Sequence, residues 1–147
     1  MTLDEAHVLA ANRAFFTAFS KRDPAAMASL WCQRAPVACV HPGWQALHGR
    51  DDVLASWDAI LSHPESPNVD CSNERVHIVG DAAYVTCDET IGDSALVATN
   101  VFFREDGEWR IAHHHSSGVA DDDDDDDDDG GEGEVVDPPP PDPKMLN

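Results

Sequence analysis

The segment with most capacity to move protons is Trp109 to Ser117, which contains His113-His114-His115 followed by Ser116. Imidazole titrates close to neutrality, so a histidine in a protected setting suits general acid or base work. Consecutive residues of an extended strand point to opposite faces. Trp109, Ile111, His113, His115 and Ser117 therefore share one face, and Arg110, Ala112, His114 and Ser116 the other. At most His113 and His115 face the same way, whereas zinc takes three or four ligands, so no metal is expected. The chain has no phosphate-binding glycine loop, no G-x-S-x-G and no Cys–His pair at a recognised spacing, and no cofactor is expected. Cys32, Cys39, Cys71 and Cys87 lack C-x-x-C spacing and sit among apolar residues, as reduced, partly buried thiols of a cytoplasmic protein would.

Charge narrows the partners. The 147 residues contain 29 Asp plus Glu against 9 Lys plus Arg, a net charge of −20. From residue 121 onward thirteen acids face Lys144 alone, a net −12, which leaves −8 on the first 120 residues. An acidic surface repels phosphate backbones and anionic headgroups, so neither nucleic acid nor membrane is an expected partner. No apolar run approaches the roughly 20 residues that span a bilayer, and Asp4 and Glu5 stand where a signal peptide would be basic and then apolar. Nine consecutive aspartates, a Gly-rich stretch and Pro138 to Pro141 cannot bury enough apolar surface to fold. Residues 120–147 are therefore expected to form a disordered acidic, proline-rich tail that mainly solvates the chain, behind one domain over 1–119.

Within that domain, Thr2 and Glu5 have capping-box spacing ahead of Val8, Phe15, Phe16 and Phe19, predicting a helix over about 3–20. Asp23-Pro24 starts a short second helix that ends near Trp31. Pro36 to His41 reads as a short strand entering the His41-Pro42-Gly43 turn. Asp51 and Asp52 suit the first turn of a third helix whose apolar face is Val53, Leu54, Trp57, Ile60 and Leu61, with Pro64 closing it. The period then becomes two, with strands at about 69–79, 82–91, 94–104 and 108–117 separated by Gly80-Asp81, Gly92-Asp93 and Asp106-Gly107. The order α-α-β-α-β-β-β-β is an α+β arrangement with helices on one face of an antiparallel sheet.

Ala35 to Trp44 (APVACVHPGW), Leu47 to Trp57 (LHGRDDVLASW) and Ala98 to Ser117 (ATNVFFREDGEWRIAHHHSS) resemble the SnoaL-like branch of the nuclear transport factor 2-like superfamily. More distantly, they resemble the association domain of calcium/calmodulin-dependent protein kinase II. The resemblance covers about residues 3–119. It implies a cone, a curved sheet wrapped around the long N-terminal helix with a pocket between them, and a homodimer paired through the sheet. Members include ketosteroid isomerases, polyketide cyclases, scytalone dehydratase and limonene epoxide hydrolase as well as non-enzymatic binding and oligomerisation modules, so the fold by itself decides no activity.

The alignment implied by the resemblance turns Glu89, Asn100, Phe102, Ala112, His114 and Ser116 into the cavity, and Trp109, Ile111, His113 and His115 to the outer face. Glu89, Asn100 and Ser116 stand where the kinase association domain has arginines, and no Asp or Tyr clearly matches the catalytic residues of ketosteroid isomerases. On this basis Glu89 and His114 are the candidate catalytic residues, either one serving as base and the other as acid. His41, Trp44, Trp57, Asn100, Phe102 and Ser116 are candidate ligand-binding residues, with Asn100 and Ser116 able to hydrogen-bond a carbonyl or hydroxyl. Three readings follow: proton-transfer chemistry of the isomerase, cyclase or dehydratase type on a small, partly apolar molecule; ligand binding or oligomerisation without chemistry; and a structural hydrogen-bond network.

Overall fold

The computed structural model describes residues 1–120; the tail expected beyond them lies outside the described residues. Helix α1 (Leu3–Ser20) opens with the reciprocal capping box, Thr2 Oγ1 accepting from the Glu5 backbone and the Glu5 carboxylate accepting from that of Thr2. Helix α2 (Pro24–Leu30) is capped by Asp23, whose side chain accepts from the Ala26 N–H. Strand β1 (Ala38–Val40) leads into a tight turn in which Trp44 N–H donates to His41 O at 2.9 Å. Pro42 and Gly43, the latter at φ +83°, are the residues a type II turn requires at its two central positions. Strand β2 (Leu47–His48) and helix α3 (Arg50–Ser62) follow, then the long strands β3 (Val69–Val79), β4 (Ala82–Ile91), β5 (Ser94–Glu105) and β6 (Glu108–Gly118).

The six strands form one sheet in the order β2-β1-β6-β5-β4-β3. All pairings are antiparallel except β1 with β6, so the sheet is mixed where alternation alone suggested an antiparallel one. Strand β2 is an addition to the expected order, since two residues are too few to carry a period. The cone is closed by α1, which packs its Val8, Phe15, Phe16 and Phe19 stripe onto the sheet and α3. Trp57 of α3 meets Phe15 and Phe19 edge-on at ring-centroid distances of 5.4 Å and 5.1 Å.

Two irregularities re-aim side chains. In β6, Val101 pairs with His113 but Phe102 pairs with Ile111, so Ala112 is an extra residue that reverses the phase of alternation. Trp109 and Ile111 are consequently buried on the helix side, correcting their expected outward orientation, while His114 and Ser116 point inward beyond the bulge. In β3 the register slips between Ser72 and Arg75, with Asn73 in the left-handed region at φ +59°. Asn73 and Glu74 oppose Cys87 alone, and this one extra residue turns Glu74 toward α1, where it meets Asn12 and Arg13.

Arg50, the first residue of α3, holds the end of α2 through its guanidinium. It donates to the carbonyls of Trp31 and Cys32 at 3.0 Å each and of Ala28 at 3.1 Å. Arg50→Met keeps the aliphatic stem and loses all three bonds, so it is expected to cost about 2 kcal/mol. Urea denaturation should show a lower midpoint with an unchanged slope.

Candidate functional site

Five elements converge on one buried polar group inside the cone. β4, β5 and β6 supply Glu89, Asn100, and His114 with Ser116, all on the inward face. α1 supplies Asn12, and the turn after β1 supplies His41. Every one of these side chains is at most 2% exposed. Apolar rings wall the group: the His114 imidazole lies 4.8 Å from Phe15, 5.7 Å from Trp57 and 6.5 Å from His41, centroid to centroid.

Polar contacts within the group are specific. Ser116 Oγ donates to Glu89 Oε1, while Glu89 Oε2 is buried without a hydrogen-bond partner. Burial raises the Glu89 pKa, partly opposed by the Ser116 bond, so its neutral acid form is favoured. His114 Nδ1 stands 2.6 Å from Asn100 Oδ1, and Asn100 Nδ2 donates to Asn12 Oδ1 at 2.8 Å. His41 Nε2 contacts Ser56 Oγ at 2.9 Å; that hydroxyl already donates to Val53 O, so His41 is the donor to it. Burial lowers the pKa of His41 to about 4 and that of His114 well below its ordinary value, the latter with added repulsion from neighbouring histidines. Both rings are neutral at pH 7. Burial thus favours the uncharged form of the Glu89 carboxyl and of both imidazoles, groups of the kind that proton transfer uses.

Of the expected site residues, Glu89, His114, His41, Trp57, Asn100 and Ser116 are brought together. Phe102 shares their face, opposite Ile111, and belongs to the apolar floor. Trp44 is half-buried at the edge, its ring 5.1 Å from His41. Asn12, Ser56, Cys71 and Glu74 were not among the candidates. Asn12 had a legible signal, an amide set within the α1 apolar stripe; Glu74 had none, because its orientation depends on the β3 bulge. His113 and His115 lie outside the compartment, 6.1 Å apart. Among the described residues no three His, Cys, Asp or Glu side chains stand close enough to hold a metal. The cysteines are free; burial pushes the thiol of Cys32 up to about 11 and raises that of Cys39, and a hydrogen bond with Cys71, then burial, raises that of Cys87. Raised thiols are poor nucleophiles.

A surface cleft of about 470 Å³ borders this interior, between α1 and β3, lined by Arg13, Phe16, Thr17, Lys21, Cys71 and Glu74 among others. Its inner wall touches the polar group twice. Cys71 pairs directly with Glu89 across β3 and β4, and Glu74 Oε2 accepts from Asn12 Nδ2 at 2.7 Å.

The comparisons agree with this architecture. The SnoaL-like domain family matches residues 8–122. A candidate dehydratase of the NTF2-like family from Streptomyces avermitilis superposes with a TM-score of 0.73 at 34% identity, covering 80% of this chain and 97% of that one. A candidate calcium/calmodulin-dependent protein kinase type II association domain from Thiobacillus denitrificans does so with a TM-score of 0.64 at 33% identity, covering 76% and 94%. The F-box protein SKIP8 of Arabidopsis thaliana is 30% identical over 108 residues, 72% of this chain; the match spans 47%, about half, of that protein's length. With a helix-wrapped cone and a family match across nearly the whole described domain, the chain belongs to the SnoaL-like domain family.

Proposed function

We propose that this domain binds a small, partly apolar organic molecule against the buried polar group and transfers a proton on it, in a dehydratase- or isomerase-type reaction. Glu89 is the acid, His114 the base, and Asn100 orients the substrate. The observation that carries this reading is the Glu89 carboxyl. It is 1% exposed, with Oε2 unpartnered and its pKa raised by burial, on the same inward face of the sheet as His114. Leaving a buried acceptor or donor unpaired costs about 1–3 kcal/mol, and such costs concentrate where a substrate completes the bonding. The adjoining cleft offers a route to the group, and the Streptomyces relative named as a candidate dehydratase supports the reaction class. Four free thiols fit a reducing compartment such as the cytoplasm.

A non-enzymatic module is the second reading, favoured by the likeness to the association domain. Both readings are compatible with a homodimer through the outer sheet face, which carries Tyr84, Val97, His113 and His115; sizing chromatography at micromolar concentration should then give twice the monomer mass.

A thermal-shift screen against a metabolite collection tests the site. A ligand at 100 times its Kd adds about 2.7 kcal/mol, on the order of 10 °C for a domain this size. His114→Ala and Glu89→Gln should lose most of that shift. Equal stabilisation of wild type and both variants would place binding elsewhere. A hit that is bound but left chemically unchanged on long incubation favours the non-enzymatic reading.

A further inference from the structure

Hydrogen bonds between side-chain amides have a direction, and here one end sets it. The Glu74 carboxylate only accepts. It takes Arg13 Nε at 3.2 Å on Oε1 and Asn12 Nδ2 at 2.7 Å on Oε2. That commits the Asn12 amino group to Glu74 and turns Oδ1 to Asn100, from whose Nδ2 it accepts at 2.8 Å. Asn100 in turn presents Oδ1 to His114 Nδ1 at 2.6 Å. An amide oxygen cannot donate, so Nδ1 must carry the proton, and a neutral imidazole then has its lone pair on Nε2. Reversing Asn12 would set its oxygen against a carboxylate oxygen, and reversing Asn100 would set two amide oxygens against each other.

We infer that Glu74, Asn12 and Asn100 form a one-way relay, starting in the wall of the surface cleft, that locks buried His114 in the Nδ1–H tautomer and makes Nε2 its basic atom. Asn12 and Glu74 are thereby positioning residues. The functional consequence rests on the reading of His114 as the base; the tautomer itself does not. The relay also explains why an amide is tolerated at 0% exposure in the apolar stripe of α1, since both of its ends are bonded. It joins the cleft to the interior, because a ligand that drew Glu74 away from Asn12 would release the tautomer.

The test is a long-range proton–nitrogen correlation spectrum of the full chain labelled with 15N-histidine, the His114 signals being identified by their loss in His114→Ala. Wild type should show Nδ1 protonated and Nε2 bare at pH 7. Asn12→Leu should populate both tautomers. So should Glu74→Met, which lies near the surface, removes both acceptor oxygens at similar volume and remains informative if Asn12→Leu fails to fold. Arg13→Met, which leaves Glu74 an acceptor, should leave the wild-type pattern unchanged. Protonation on Nε2 in wild type, or an undisturbed Nδ1–H tautomer in Glu74→Met, would overturn the relay. The expected tautomer combined with ligand binding indifferent to His114→Ala would leave the relay standing and remove its proposed role in function.

Discussion

Glu105→Ala is expected to remove about 3 kcal/mol of stability at neutral pH, although Glu105 lies far from the polar group and at the tip of a hairpin. Its side chain is 7% exposed and accepts three backbone N–H bonds from the connection between α2 and β1: Gln33 at 2.9 Å, Arg34 at 3.0 Å and Ala35 at 2.9 Å. Burial alone would raise its pKa. The bonds from Gln33, Ala35 and Arg34 overcome that and bring it down to about 2. A carboxyl whose folded pKa lies below its unfolded value contributes stability that is complete above the unfolded pKa, near 4.5, and is lost as pH falls through about 2. Urea denaturation of wild type and Glu105→Ala at pH 7 and at successive steps below 4.5 should therefore give curves that converge in acid. Glu105→Gln should recover little, since its amide can offer only one oxygen to three donors. A difference under about 1 kcal/mol at pH 7 would mean that the loop holds without the clamp.

Glu89→Gln is expected to move stability the opposite way. Here burial raises the folded pKa above the unfolded one. The favourable contribution of the neutral acid is complete below the unfolded pKa and is lost as pH rises toward the folded value. Glutamine keeps an oxygen for the Ser116 hydroxyl and cannot ionise. The variant should thus gain on wild type by about 1.4 kcal/mol per pH unit across that window and hold a constant advantage above it. Thermal or urea unfolding between pH 4 and pH 9 measures the difference; parallel curves would mean that Glu89 titrates normally. Because the same substitution is expected to abolish ligand-induced stabilisation, a variant more stable yet less able to bind would mark Glu89 as retained for function at a cost in stability. The two glutamates differ in their partners: three N–H groups are aimed at one, a single hydroxyl at the other.

Local signals made most of the fold legible. The Thr2–Glu5 box, Asp23-Pro24, the switch from period 3.6 to period 2 at residue 69 and the three Gly-Asp or Asp-Gly turns each act within a few residues, and the elements they mark stand where they put them. The inward set Glu89, Asn100, His114 and Ser116 was legible only with the help of family resemblance, because alternation names two faces without saying which is buried. Alternation also failed locally at Ala112, where one extra residue carries Trp109 and Ile111 to the helix side.

What the sequence by itself determined is the order of the helices and of every strand but β2, and the residues each can bury. What only the tertiary structure decided is which polar groups meet. Glu74 is 62 residues from Asn12 and Asn12 is 88 from Asn100, and no short-range pattern encodes those contacts. They exist because a bulge in β3 swings a carboxylate onto α1 and the closed cone sets each buried amide against the next. In low dielectric an unpaired polar group is too costly to keep, so packing both assembles the network and sets its direction.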